Sequence, residues 1–140
     1  MSNLSASAQN FGWLLNSFAD NTADVRSAIA VSADGILLAS SEDLERSQAE
    51  QFAAITSGLS SLTMGASRCF DADGVDQVIV EMGSAYMFVT TVSMGSCLGV
   101  IADKECDMGL IAYEMTLLVD RFGDLLTPEL IAELKNLVAV

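Results

Sequence analysis

Histidine is absent from this chain. Without it, the Ser-His-Asp and Cys-His arrangements that activate a nucleophile cannot be built, and the Gly-x-Ser-x-Gly motif of many hydrolases is missing as well. A phosphate-binding loop needs a set of glycines before its lysine, and neither Lys104 nor Lys135 follows such a set. We therefore expect a protein that is not an enzyme, with no catalytic residue and no cofactor.

Cysteine is scarce, and its count is odd. Cys69, Cys97 and Cys106 show no close paired spacing, and without histidine they do not complete a zinc site. We expect neither a disulfide framework nor a metal centre. Cys97 lies in an apolar run and is predicted to be a small core residue, whereas Cys106 precedes a predicted helix, a position that can lower a thiol pKa.

Basic residues are few. Six lysines and arginines face 19 aspartates and glutamates, so the net charge is -13. Such a charge repels phosphate backbones and anionic lipid headgroups, which argues against nucleic acid as a partner. Two interpretations of the charge stay open: it serves solubility, or it provides a docking face for a basic partner.

Long hydrophobic runs are missing too. No stretch of 18 apolar residues is present, which argues against a membrane-spanning helix. Residues 1–5 contain neither a basic segment nor an apolar core of the kind that directs export. We expect the protein to be cytoplasmic.

Apolar residues, by contrast, are abundant. They make up 51% of the 140 residues, against 18% charged residues and a single proline. This composition is opposite to that of a disordered chain, and the length suits one domain with one core. Because the apolar fraction is high for a soluble monomer, we expect part of the apolar surface to meet another subunit.

Two carboxylate pairs occur, Asp71 with Asp73 and Glu42 with Asp43. Paired carboxylates can perform acid-base chemistry, but both pairs lie in polar turn-like segments. The segment that begins at Asp71 only partly matches a calcium loop, because its glycine comes at the fourth position and Met82 stands where the twelfth-position glutamate belongs. We predict solvated turns at both places.

The first third of the chain predicts a helix and a β-hairpin. Apolar residues recur at helical spacing from residue 4 to residue 18. This stripe consists of Leu4, Ala8, Phe11, Leu15 and Phe18, widened by Trp13 and Leu14. Two apolar runs, 25–31 and 36–38, then flank Asp34-Gly35, which is a strong signal for a hairpin closed by a primed turn.

A second helix is predicted over residues 47–68. Ser47 and Glu50 have the spacing of a capping box. We predict that the larger apolar side chains face a sheet; they are Phe52, Ile55, Leu59, Leu62 and Ala66.

A separate stripe of this second helix is composed of small residues. It consists of Ala54, Gly58, Ser61 and Gly65. Each glycine inside a helix costs about 1 kcal/mol relative to alanine. Either this stripe lets the helix lie close to its own sheet or loops, or it lets the same helix of a second subunit cross closely; the apolar composition favours the dimer.

Three strand-like runs with short turns, within residues 75–102, predict an antiparallel meander. A third helix follows, with Gly123 as its expected C-terminal cap. Its apolar stripe consists of Met108, Ile111, Met115, Leu118 and Phe122. Thr127 and Pro128 then have the pattern of an N-cap and a first helical residue, which predicts a short C-terminal helix.

The order of these elements resembles the Roadblock family of dynein light chains and their bacterial relatives, over roughly residues 4–122. The resemblance rests on the second helix, which is rich in small and apolar residues, and on two segments. These are Val31-Ser32-Ala33-Asp34-Gly35-Ile36 at the hairpin and Leu98-Gly99-Val100-Ile101 in the meander. Within the family, the chain looks most like the Roadblock component of actinobacterial conservons and like the bacterial MglB proteins.

The resemblance implies an α+β fold: one five-stranded antiparallel sheet with one helix on one face and two on the other, in the order α-β-β-α-β-β-β-α. Residues 1–124 would be the Roadblock-like domain, and residues 125–140 a helical extension packed on it. The resemblance also implies a homodimer built from the second helix and third strand. Its interface would consist of Ala54, Gly58, Ser61, Gly65, Val78 and Val80.

The implied function is regulation of a small Ras-like GTPase, in a signalling complex with a sensor-kinase-like membrane protein that could hold the chain at the membrane. Gln48, Gln51 and Arg68 are the candidate partner surface. The main alternative is a dimeric scaffold that bridges a membrane-associated complex without regulating a GTPase. A third interpretation is a small-molecule sensor, which a pocket lined by Tyr86, Trp13 or Arg26 would favour.

Overall fold

The computed structural model describes residues 5–139, in which helices and strands follow the predicted order. The elements are α1 (Ala6–Asn21), β1 (Val25–Val31), β2 (Leu37–Ser40), α2 (Arg46–Cys69), β3 (Val78–Glu81), β4 (Ala85–Thr91), β5 (Cys97–Asp103), α3 (Met108–Leu125) and α4 (Pro128–Ala139). The predicted fold class is confirmed.

The strands form one antiparallel sheet in the order β2-β1-β5-β4-β3. The predicted meander β3-β4-β5 is confirmed, and β5 returns to pair with β1 at the centre of the sheet. β1 and β5 are the most completely buried strands, because helices cover both of their faces. β2 and β3 are the two edge strands.

The helices divide between the two faces of the sheet. α1, α3 and α4 pack on one face, where their side chains share a core with Ala28 and Ala30 of β1. α2 packs alone on the other face, against Ile29 and Val31 of the same strand. This alternation along β1 follows from the two-residue period of a strand. Within residues 5–139, no helix is both long and apolar enough to cross a bilayer.

The β1–β2 hairpin is present, but its turn differs from the predicted one. The Gly35 N–H donates to Ser32 O (3.0 Å) and the Ser32 N–H donates to Ile36 O (2.9 Å), which leaves a three-residue loop. Of the turn residues, Gly35 alone has a positive φ, +85°. A primed type I′ turn needs two such residues, so this is the three-residue loop that ends in a left-handed glycine.

The predicted stripe of α1 is confirmed for the residues described: Ala8, Phe11, Leu15 and Phe18 are buried, together with Leu14. Leu4 lies outside the described residues. Trp13 departs from the prediction, since 64% of its side-chain surface is exposed. Successive residues of a helix are rotated by about 100° around its axis. Trp13 directly precedes the buried Leu14, and this rotation places Trp13 at the edge of the core.

α2 departs from the sequence prediction at two points. Its N-cap is Glu45, which makes no side-chain capping bond, so the predicted capping box of Ser47 is wrong. Glu50 instead accepts a bond from Arg46 at 3.0 Å. The side facing the sheet is also different, because it is composed mainly of small and hydroxyl residues. The buried residues of α2 are Ala49, Phe52, Ala53, Thr56 and Ser67.

α3 buries the predicted stripe, with Met108 partly covered. Gly123 does not end this helix, which continues to Leu125 and is capped by Leu126. The start of α4 is as predicted, because the Leu130 N–H donates to Thr127 Oγ1 at 3.0 Å and Pro128 is the first helical residue. α4 contributes Leu130 and Leu134 to the core that it shares with α1 and α3, and Leu126 of the connection before it is buried in the same core.

Two polar contacts hold α4 to the rest of the chain. Glu133 accepts bonds from both the backbone N–H and the hydroxyl of Ser5, at 2.9 and 2.7 Å. Lys135 forms an ion pair with Asp34 of the β1–β2 turn at 3.0 Å. α4 is therefore fixed to the start of α1 and to the hairpin through residues far apart in sequence.

Candidate functional site

The outer side of α2 carries the most unusual surface in the described part of the chain. Ile55 and Leu62, predicted to face the sheet, are instead 52% and 75% exposed. Ala54, Gly58 and Ser61 of the small stripe are exposed beside them, and Gly65 is half-buried. At about 100° per residue, the two stripes adjoin and form one broad face of small and apolar groups.

The glycines on this face are not explained by packing within the chain. A Cβ built on Gly58 would meet no atom within 4 Å apart from its chain neighbours and the adjacent backbone of its own helix. A Cβ built on Gly65 would meet only the far end of Arg68, at 4.0 Å. Alanine would fit at both positions and would stabilise the helix, so close approach to the sheet does not account for these glycines.

The same face lacks charge. Residues 51–67 contain no charged side chain, although the chain as a whole carries a net charge of -13. A solvated helix of an acidic protein normally carries charged residues on its outer side. This face can therefore approach another surface, including its own copy, without burying a carboxylate.

β3 continues this surface at the edge of the sheet. Val78 and Val80 are half-buried and pack on the α2 side, and β3 is an edge strand. Ile79 points to the other side and is exposed. β3 pairs with β4 along one side, and among the strands described here no other pairs with its second side. We call the exposed side of α2 together with the free edge of β3 the α2–β3 face.

Gln48, Gln51 and Arg68 are all exposed, as expected of a partner surface. They do not form one patch within a single chain, however. Gln51 and Arg68 are 17 positions apart on α2, which is about 25 Å along the axis. The two glutamines therefore mark one end of the α2–β3 face, and Arg68 marks the other.

The carboxylate pairs lie in turns. Asp71 and Asp73 are exposed and adopt positive φ values of 52° and 62° in the turn after α2. In residues 5–139, no three cysteine, aspartate or glutamate side chains come together as a metal site.

Near β3, Lys104 donates to Glu81 at 2.6 Å and lowers the pKa of that carboxyl.

Two of the three cysteine thiols have raised pKa values. Burial raises the pKa of Cys106, and the nearby carboxylates of Asp24 and Asp107 raise it further. The lowered pKa that a helix start can produce is therefore not found at Cys106, because the carboxylates of Asp24 and Asp107 lie near it. Cys97 is a buried core residue, as predicted, and its burial raises its pKa.

A groove lies between α1 and α3, and of the three residues named as possible pocket residues Trp13 borders it. It has a volume of about 450 Å³ and is bordered by Trp13, Leu110 and Leu117. The sequence did not indicate that α3 forms the other wall, and Trp13 was also assigned to the buried stripe of α1. Tyr86 and Arg26, named as possible pocket residues, lie elsewhere: Arg26 pairs with Asp103, and Tyr86 lies under Lys104.

The fold and this surface define a class: a small single-sheet α+β module in which an uncovered helix face adjoins a free sheet edge. The sequence matches the Roadblock/LC7 domain over residues 11–102, and the chain belongs to the Roadblock/LC7 family. The resemblance predicted from the sequence is thus confirmed.

Solved structures of three bacterial proteins share this fold. A Roadblock/LC7 domain from Streptomyces avermitilis is 36% identical, with a TM-score of 0.75, covering 79% of this chain and 92% of that one. MglB from Myxococcus xanthus is 15% identical, with a TM-score of 0.78 and coverage of 89% and 92%. The gliding protein MglB from Thermus thermophilus is 13% identical, with a TM-score of 0.77 and coverage of 89% and 94%. No protein with a curated description shows significant similarity to the chain.

Proposed function

We propose that this chain is a homodimeric, non-enzymatic regulator of a small Ras-like GTPase. The observation that carries the proposal is the α2–β3 face: a long, uncharged helix surface with exposed Ile55 and Leu62, beside a free strand edge. Exposed apolar surface that is continuous over a helix and a strand is typical of a protein-protein interface. The first occupant of this face, in our proposal, is a second copy of the chain.

A two-fold arrangement suits the face. α2 is about 36 Å long, and its uncharged residues 51–67 occupy the middle of the helix. Two such helices crossing in opposite directions would bring the small stripes together, with Gly58 and Ser61 allowing close approach. The free edges of β3, with Val78 and Val80, would pair across the same axis and remove an exposed strand edge.

This arrangement would also assemble the candidate partner surface. When the two α2 helices run in opposite directions, Gln48 and Gln51 of one subunit approach Arg68 of the other. The residues that are about 25 Å apart in one chain then form two equivalent composite patches, one at each end of the dimer. We propose that the GTPase docks at such a patch.

The GTPase partner is supported by family membership and by the resemblance to MglB proteins, which implies association with a Ras-like GTPase. An MglB structure described as having a tetrameric arrangement shares this fold, which supports self-association. Binding would favour one conformation of the switch loops and so change nucleotide exchange or turnover. In a conservon-type complex, a sensor-kinase-like membrane protein would hold the dimer at the membrane.

The experiment that tests the proposal is capture of candidate Ras-like GTPases, each loaded with GDP or with a GTP analogue, by the purified full chain. Mass determination of the eluted complex then gives its stoichiometry. We expect retention that depends on the nucleotide, and loss of retention when Gln51 and Arg68 are both changed to alanine. A dimer that recovers a membrane sensor protein but captures no GTPase in either state would support the scaffold alternative instead.

A further inference from the structure

We propose that the outer side of α3 is a second self-association face, at which two copies of the chain pack with their α3 helices antiparallel. This α3 face consists of Leu110, Tyr113, Glu114, Leu117 and Arg121. α3 and α2 pack on opposite sides of the sheet, so the α3 face does not overlap the α2–β3 face. The contact itself rests neither on the GTPase nor on the dimer proposed above.

Large apolar groups make up the middle of the α3 face. Leu110, Tyr113 and Leu117 have i, i+3, i+7 spacing, and at about 100° per residue they span about 60° of the helix surface. Together with Trp13 of α1, across the groove between the two helices, they are 41–64% exposed. Single exposed apolar residues are normal on a protein surface, but a contiguous set is typical of a surface that another protein covers.

Two opposite charges flank one side of this stripe. Glu114 lies three residues before Leu117 and Arg121 four residues after it, about 5 and 6 Å along the axis and about 40–60° to the same side. Arg121 is exposed and Glu114 is half-buried. Within residues 5–139, neither belongs to an ion pair. Both charges are therefore available to a group outside the chain.

The spacing of these charges is self-complementary. If two α3 helices cross in opposite directions at Leu117, the two-fold axis places Glu114 of each copy against Arg121 of the other, which gives two equivalent ion pairs. Opposite charges placed face to face fix the register of an interface. A partner with charge of one sign would leave either the carboxylate or the guanidinium unmatched, whereas a second copy matches both.

The other carboxylates on the outer side of α3 are compatible with this contact. Asp120 lies on the other side of the stripe, where the same crossing places it against Tyr113 of the second copy, whose hydroxyl can donate to it. Asp124 lies at the end of the contact and can remain in water. The net charge of -13 repels copies at long range, but at physiological salt this repulsion is screened beyond about 8 Å. We therefore expect an association that becomes visible at high micromolar concentration.

Sedimentation velocity of the full-length Leu62→Glu variant tests the α3 contact by itself, because a charge at residue 62 should disable the α2–β3 face. We expect this variant to change from monomer to dimer as its concentration rises. In this background, Glu114→Arg and Arg121→Glu should each raise the dissociation constant at least about tenfold, since like charges then face each other. The two changes combined keep the net charge of the background and should restore association.

A second pair of variants tests the apolar stripe. Leu117→Asp places a carboxylate at the centre of the contact, and Ile36→Asp places one at the distant β1–β2 turn; the parent side chains are similarly exposed. We expect at least about tenfold weaker association for the first and less than about a twofold change for the second. Circular dichroism shows whether each variant is folded, and if Leu117→Asp is not, the charge exchange carries the test.

The α3 contact and the α2–β3 dimer can fail separately. If both form, the chain without substitutions should build species larger than a dimer at high concentration, because its two faces are on opposite sides of the sheet, and Leu117→Asp should stop at the dimer. If the α2–β3 face does not dimerise, the chain without substitutions should behave like Leu62→Glu, and the charge exchange still reports on α3.

Two outcomes would overturn the α3 contact. One is a Leu62→Glu variant that stays monomeric up to the highest soluble concentration. The other is association that either single charge reversal leaves unchanged, or that the combined reversal does not restore, because Glu114 and Arg121 of two copies then do not face each other.

Discussion

Gly99 of β5 lies directly against Thr56 of α2. A Cβ built on Gly99 would come within 2.6 Å of Thr56 Oγ1 and 3.3 Å of Ile29 Cγ1. Thr56 and Ile29 are both fully buried, so neither side chain can move aside into solvent. The absence of a side chain at residue 99 therefore sets how closely α2 lies on the sheet.

Gly99→Ala should destabilise the fold by about 1–3 kcal/mol, because overpacking a closed core forces side chains or backbone to shift. The measurement is the free energy of unfolding in urea. Gly123→Ala is the matched control, since a Cβ at this helical position would meet nothing within 4 Å; it should be neutral or stabilise by up to about 1 kcal/mol. Equal unfolding curves for the two variants would contradict the close contact.

Gly58→Leu should separate the proposed dimer while leaving the fold intact, because its side chain meets open space in the single chain and a second helix in the dimer. Light scattering after size exclusion should show half the mass of the parent. Leu62→Glu should do the same by placing a charge on the uncharged face. Gly123→Leu is the control for a leucine added on another helix, and it should remain dimeric. A Gly58→Leu chain that keeps the parent's mass would place the interface elsewhere.

Acidification should weaken the attachment of α4. The Ser5 N–H and hydroxyl lower the pKa of Glu133, and the Ser32 hydroxyl followed by Lys135 lowers the pKa of Asp34. Because both pKa values are lower in the folded state, these carboxylates stabilise it above their unfolded pKa, near about pH 4, and the contribution is lost as pH falls through the folded values.

Comparison of variants isolates this effect from the general loss of charge repulsion at low pH. Glu133→Gln should melt at a lower temperature than the parent at pH 7, and the difference should disappear as the pH falls below about 4. Glu105→Gln removes an exposed carboxylate that is remote from α4 and should melt like the parent at both pH values. If Glu133→Gln lowers the melting temperature by the same amount at both pH values, ionisation of Glu133 does not contribute to the stability of the fold.

The three thiols should react with iodoacetamide in a defined order at neutral pH. Cys69 is exposed and should be alkylated first. Cys106 should react more slowly, because partial burial and nearby carboxylates raise its pKa and the thiolate is the reactive form. Cys97 is buried and should react only on unfolding. Mass spectrometry of digested samples gives the order; faster labelling of Cys106 than of Cys69 would contradict it.

Much of the fold was predictable because several elements bury one apolar face against one core. The stripes of α1 and α3 have one core to face, so their periodicity identified the buried residues, with the exception of Trp13. The hairpin and the meander were also predictable, because their turns are short and locally encoded. The capping box failed because α2 begins at Arg46 with Glu45 as its N-cap, which places Ser47 inside the helix. Glu50 pairs with Arg46 instead.

The sequence by itself determined the class of the protein. Composition and spacing alone show the absence of histidine, the acidic charge, the order of the elements and the small stripe of α2. Only the tertiary structure decided which side of α2 is inside. Thr56, Ala49 and Ala53 face the sheet because α2 approaches Gly99 closely, and Ile55 and Leu62 are thereby left outside. It also decided that Trp13 borders a groove, because that depends on where α3 lies relative to α1. Periodicity identifies apolar faces, but the partner of each face is fixed by contacts between residues distant in sequence.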